Sequence, residues 1–103
     1  MSVFGLFKNT FAEEAARAAN TPGARVVDVR TPEEYATGHL PNAENIPLDA
    51  LAGAAFPAGE TLFVYCHSGA RSARAAAYLK SQGLDAVNMG GIAGYKGKLI
   101  GGK

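Results

Sequence analysis

Thr61-Leu-Phe-Val-Tyr-Cys66-His-Ser-Gly-Ala-Arg71-Ser72, continued by an alanine-rich run to Gly83, decides the reading of this chain. Thr61 to Tyr65 is apolar, β-branched and aromatic, the composition of a buried strand. A polar turn containing Gly69 follows, and Ser72 to Gln82 reads as a helix with Gly83 at its carboxyl-terminal cap. A thiol between that strand and that helix sits at the carboxyl end of the strand and faces the amino end of the helix. The N–H groups of the turn and the helix dipole both favour an anion there. A thiol so placed titrates low and is nucleophilic.

Outward from this stretch, strands and helices alternate. Thr10-Phe-Ala-Glu13 has the pattern of a capping box and opens a helix to about Asn20. Arg25 to Val29 is a short β-branched strand. Thr31-Pro32 starts a second helix, with threonine as N-cap and proline at the first helical position, and Gly38 ends it. Ala43 to Ile46 is a short strand closed by Pro47, and Leu48 to Ala54 a helical turn or two. Asp85 to Met89 is a further strand, Gly90-Gly91 a turn, and Ile92 to Leu99 a last helix weakened by Gly94 and Gly97. The tail from Gly101 is expected to fray. Such alternation predicts an α/β fold, a mainly parallel sheet of about four or five strands with helices on both faces. Ligands of such sheets sit beyond the carboxyl ends of the strands, where Cys66 falls.

A chain of 103 residues is expected to be one domain, residues 1–103, with its core over 24–98 and an N-terminal segment and helix over 1–23. The formal net charge of +1 gives no electrostatic case for nucleic acid or a membrane surface. One cysteine excludes an internal disulfide, a CxxC redox pair and an all-cysteine zinc site. His39 and His67 with Cys66 are too few for a structural metal, which takes four ligands, so no metal is expected. No apolar run approaches the ~18 residues of a membrane span. Met1 to Lys8 lacks a basic start and a cleavage site, so no signal peptide is expected. A reduced thiol then suits the cytoplasm.

Four segments bring these residues together: Val27-Asp28-Val29-Arg30; Glu34-Tyr35 with Gly38-His39-Leu40-Pro41-Asn42-Ala43-Glu44-Asn45-Ile46-Pro47; Val64 to Ser72; and Asn88-Met89-Gly90-Gly91-Ile92. Their order and spacing resemble the single-domain rhodanese-like sulfurtransferases over about Ala24 to Lys98. The resemblance implies a rhodanese-like fold and a cysteine that takes the outer sulfur of a donor such as thiosulfate, releasing sulfite. The resulting persulfide passes its sulfur to cyanide or a thiol, in two-step covalent catalysis. No metal or organic cofactor is implied. With no second cysteine, sulfur must leave to an external acceptor, which includes a protein thiol.

The cysteine loop is C-x4-R. Related phosphatases use C-x5-R for a tetrahedral oxyanion, and the shorter cradle suits a single sulfur atom. A loop ending in arginine resembles the thiosulfate users. There are departures: Asn42 stands where the family often has glycine, Tyr95 where it has tryptophan, and the C-terminal Gly-x-Pro is replaced by Leu99-Ile100-Gly101. Asn42 tolerates a left-handed turn.

Cys66 is therefore the candidate nucleophile, against the bland alternative of a buried apolar thiol. The cradle is expected from the backbone N–H groups of His67, Ser68, Gly69, Ala70, Arg71 and Ser72. Arg71 is expected to assist the anion rather than lie solvated, because a cation at a helix amino terminus needs compensation. Arg74, one turn on, divides between rim and surface. His67 is expected to serve through its backbone, with its imidazole in solvent. Asp28 and Arg30 share a face, and the resemblance gives them a structural ion pair that supports the loop. His39 reads as a turn histidine, and Glu33 and Glu34 as first-turn helix charges. Phe4, Leu6, Phe7 and Phe11 read as packing onto the domain, the alternative being a partner-binding stripe. The rival functions are a persulfide carrier serving one protein partner, a phosphatase or arsenate reductase, and an inactive scaffold.

Overall fold

The structure, a computed structural model, describes residues 9–101. Phe4, Leu6 and Phe7 of the apolar N-terminal stripe lie outside the described residues, as do Gly102 and Lys103 of the tail. The elements run α1 (Phe11–Ala19), β1 (Ala24–Asp28), α2 (Pro32–Thr37), β2 (Ala43–Asn45), a 3-10 helix (Leu48–Gly53), β3 (Thr61–Cys66), α3 (Ala70–Ser81) and β4 (Asp85–Gly91). Both expected N-caps are present. Thr10 accepts from Glu13 N–H and Thr31 from Glu34 N–H, and each glutamate reaches back to its threonine N–H, closing a capping box.

The four strands form one sheet in the order β2-β1-β3-β4, and every neighbouring pair is parallel. Strand β3 lies inside the sheet and shows why its sequence is almost wholly apolar. Leu62, Val64 and Cys66 face one side, in a cluster with Val27, Val29, Leu51, Ala75, Ala76 and Leu79. Phe63 and Tyr65 face the other, in a cluster with Ala18, Leu40, Ala43, Met89 and Ile92. This is the two-residue alternation of a strand covered on both faces. The chain leaves β1 first to one side, for β2, and then to the other, for β3. The crevice beyond the carboxyl ends of β1 and β3 is thus a topological switch point, where α/β sheets bind ligands.

The expected last helix does not form. Ile92 N–H instead donates to the Cys66 carbonyl at 2.9 Å and Ala93 N–H to the His67 carbonyl at 3.0 Å. Gly94 has φ +81°, which a right-handed helix cannot contain. Ile100 then pairs antiparallel with His39 through two hydrogen bonds of 2.8 and 2.9 Å. Nor do Gly90 and Gly91 form a turn: they extend β4, whose register against β3 shifts at Val64/Tyr65. Helix α3 begins two residues earlier than Ser72, after Gly69 in a left-handed conformation. Asn42 takes the left-handed φ of 68° that its side chain tolerates. Tyr95 packs edge-on to the Phe11 ring, centroids 5.1 Å apart. No helix among the described residues is long and apolar enough to cross a membrane.

Candidate active site

Cys66 ends β3 and is fully buried. The chain then folds back over its sulfur. Gly69 N–H donates to Sγ at 3.0 Å and Ser72 N–H at 3.4 Å, and the Ser72 hydroxyl lies 3.4 Å away. Burial pushes the Cys66 thiol up. Hydrogen bonds from the Ser72 hydroxyl and the N–H groups of Ser72, Gly69 and Ser68 more than offset it, and its pKa is lowered from the ordinary thiol value. Of the six expected cradle donors, Ser68, Gly69 and Ser72 thus act on the sulfur itself. Ala70 and Arg71 open α3, and N–H groups in a first helical turn have no intrahelical acceptor. His67 lies exposed beside them, and its carbonyl is taken by Ala93 N–H.

The loop is held from behind by β4. Gly91 lies against it so closely that an added Cβ would meet Ser68 Cα at 2.6 Å, Ser68 C at 2.7 Å and the His67 carbonyl oxygen. These are backbone atoms, so the loop itself would have to move. Gly91→Ala is therefore expected to cost about 1–3 kcal/mol of stability by overpacking. It should also move the pH midpoint of Cys66 alkylation upward, because the displaced N–H donors no longer lower the thiol. Urea titration and iodoacetamide kinetics on the same variant check both.

Arg71, expected to assist the anion, is itself paired with a carboxylate. Its guanidinium forks onto Glu34 of α2, Nη1 to Oε1 at 2.7 Å and Nη2 to Oε2 at 2.9 Å, with the two side chains 35% and 33% exposed. Glu34, read from the sequence as a first-turn charge, thus also ties α2 to the cysteine loop. The hydrogen bond from Arg71 holds the Glu34 carboxyl down at about 2, from an ordinary 4.5. A depressed carboxyl contributes stability above its unfolded value and loses it as pH falls through its folded one. Arg71→Ala should then lower stability near neutral pH by at most about 1 kcal/mol, the pair being partly exposed. The gap from wild type should close as pH drops from 4.5 towards 2, as urea midpoints across that range would show.

Asp28 and Arg30 form the expected buried ion pair. Arg30 Nη2 meets Asp28 Oδ2 at 2.6 Å, Nε meets both carboxylate oxygens at 2.9 and 3.0 Å, and Nη2 also donates to the Gly38 carbonyl at 2.8 Å. The pair therefore anchors the turn after α2. It bears on the cysteine strand through Tyr65, whose ring lies 5.7 Å from the guanidinium carbon and whose hydroxyl accepts Leu40 N–H at 3.0 Å. His39 stacks on Tyr35 and hydrogen-bonds its carbonyl at 2.9 Å, a turn histidine. Arg74 is exposed. With Arg71, Tyr78, Thr31, Leu48 and Leu51 it lines a groove of about 560 Å³ beside the loop. Asn88 of β4 touches Ser72, Gly69 and Gly90. Sequence reasoning assigned it nothing beyond membership of the Asn88–Ile92 segment.

A parallel sheet whose third strand delivers a thiol into backbone N–H groups at a helix amino terminus defines a class of cysteine-loop α/β domains. Comparison with known proteins narrows the class. The model of the rhodanese-like domain matches residues 11–98. A sulfurtransferase of Allochromatium vinosum is 40% identical over 73 residues, which cover 69% of this chain and 68% of that protein. A rhodanese-like domain protein of Staphylococcus aureus superposes with a TM-score of 0.73 at 38% identity, over 81% of this chain and 84% of that one. A rhodanese with anions from E. coli gives 0.68 at 32% identity, over 77% of this chain and 99% of that one. The chain belongs to the rhodanese-like family.

Proposed function

We propose that this protein is a sulfurtransferase that carries sulfane sulfur on Cys66 from a thiosulfate-type donor to cyanide or a thiol, a protein thiol included. The reading rests above all on the Cys66 sulfur, buried at the end of β3 and hydrogen-bonded by the N–H groups of Gly69 and Ser72. In the first step the thiolate attacks the outer sulfur of the donor. An S–S bond forms, the donor's own S–S bond breaks, and sulfite leaves with the electron pair. In the second step the acceptor attacks the outer sulfur of the persulfide, and Cys66 leaves as thiolate. The helix-end N–H groups stabilise the charge wherever it lies on the two sulfurs. Arg71 adds positive charge at the rim, tempered by Glu34. Asp28 and Arg30 hold the neighbouring turn, and Arg74 stands at the groove.

Four residues between Cys66 and Arg71 support a sulfur cradle over the phosphatase reading. The chain has one thiol, so the outer sulfur goes to an acceptor outside it. A nucleophile that must be reduced at the start of each cycle suits the cytoplasm. Intact mass after incubation with thiosulfate tests the proposal. A gain of one sulfur atom, removed by cyanide with thiocyanate formed, is expected. Failure to gain mass with thiosulfate, mercaptopyruvate or an organic persulfide would exclude a sulfur-carrying role.

A further inference from the structure

The Ser72 hydroxyl has one hydrogen and too many neighbours. Its oxygen lies 2.7 Å from Asn88 Oδ1, 3.2 Å from the Gly69 carbonyl, 3.4 Å from the Gly90 carbonyl and 3.4 Å from Cys66 Sγ. The orientation of the Asn88 amide is settled by its other partners. Gly90 N–H, at 3.0 Å, needs an oxygen, and the Gly69 carbonyl, at 3.4 Å, needs an N–H. Oδ1 therefore faces Ser72 and is its shortest acceptor. Ser72 is fully buried, so water does not compete for the hydroxyl.

While the sulfur is neutral, the hydroxyl donates to Asn88, and its oxygen accepts a hydrogen bond from the Cys66 S–H. Once the thiol proton has gone to solvent, Sγ is an anion that attracts donors. The hydroxyl hydrogen then turns from Asn88 to the sulfur, while Asn88 keeps its bond from Gly90 N–H. We propose that Asn88 is a positioning residue, a resting acceptor that parks the Ser72 hydroxyl while the Cys66 sulfur is uncharged and releases it when the sulfur becomes charged. Cys66 carries charge twice in the proposed cycle, as attacking thiolate and again as the group that leaves when the acceptor takes the outer sulfur. In between, as persulfide, the charge sits on the outer sulfur, and the hydroxyl returns to Asn88. That part of the inference rests on the sulfur-transfer reading; the resting switch does not.

Charged and titratable side chains on the elements packed about the sulfur include Asp28 of β1, Glu34 of α2, His67 of the loop, and Arg71 and Arg74 of α3. Arg71 interacts with Cys66 through its charge. None of the five hydrogen-bonds the sulfur or the Ser72 hydroxyl: Asp28 is held by Arg30, and Glu34 by Arg71 and Thr31. The Ser72–Asn88 contact is thus a separate influence on the thiol.

The test is the pH dependence of Cys66 alkylation by iodoacetamide, an uncharged reagent that reads the thiolate fraction whatever the sulfur donor. Asn88→Asp keeps the shape but holds the hydroxyl hydrogen with a charge, and should move the midpoint up by about one unit. Asn88→Leu removes the acceptor, leaving only the poorer Gly69 and Gly90 carbonyls, and should move it down by about half a unit. A merely structural role predicts an upward shift in both, because a loosened loop loses donors to the sulfur; that result would overturn the proposal, as would no shift in either. In a Ser72→Ala background both shifts should shrink to less than half. Undiminished shifts there would mean a through-space field and no hydroxyl switch. The mass experiment stays independent of this one: a chain that takes up no sulfur can still show the two opposite shifts, and one that does can lack them.

Discussion

Cys66→Ser is expected to abolish sulfur uptake, lowering transfer from thiosulfate to cyanide by about 10⁴-fold or more, to background. The oxygen is smaller and fits the fully buried site at the end of β3, so the fold should be kept. What is lost is chemical. A serine hydroxyl stays protonated in a cradle that lowers a thiol, and oxygen attacks divalent sulfur poorly. Lost mass gain and lost thiocyanate formation, with an unchanged urea midpoint, are the expected results. Turnover within tenfold of wild type would show that Cys66 does not carry the sulfur. The experiment separates chemistry from folding because the cradle is backbone: Gly69 and Ser72 N–H keep their places whichever atom ends the side chain.

Arg30→Met is expected to have the largest effect on stability, a loss of about 3–5 kcal/mol. Arg30 is the charged partner of a carboxylate that is itself 0% exposed. Its removal leaves Asp28 buried with the Arg30 backbone N–H, and strips the Gly38 carbonyl of a donor. The double variant Asp28→Asn/Arg30→Met should cost less than the single change, because it no longer strands a charge. Urea unfolding of wild type, both single variants and the double variant closes the cycle. A double variant no more stable than Arg30→Met would mean that the stranded charge is not what costs. In a domain at the low end of the usual range, roughly 5 kcal/mol of total stability, a loss of this size leaves a measurable unfolded fraction.

Much of the site was legible because it is local in sequence. Strand, thiol, glycine turn and helix are consecutive, and a backbone cradle of this kind needs no distant side chain. The capping threonines, the apolar run of β3 and the shared face of Asp28 and Arg30 follow from residues two or three positions apart, while the ion pair itself came from the resemblance. Glu34 was visible only as a helix charge, since nothing in the chain states that it reaches Arg71, 37 positions on. Asn88 was visible only as part of a segment, since its partners Ser72 and Gly69 lie on another element. The C-terminal stretch misled for the same reason. Its apolar spacing suits a helix, but Ile92 and Ala93 give their N–H groups to the cysteine strand and loop, and Ile100 pairs with His39.

The sequence alone determined the alternating α/β plan and the strand-to-helix step that delivers Cys66. Each depends on hydrogen bonds and side-chain spacing within a dozen residues, where the covalent chain leaves few choices. The tertiary structure decided which charges meet Arg71, why Gly91 can be nothing larger, and where the Ser72 hydroxyl goes when the sulfur does not need it. These depend on β4 and α2 being laid beside the cysteine loop, and that placement is set by burial of both sheet faces, a property of the whole chain that no short segment carries.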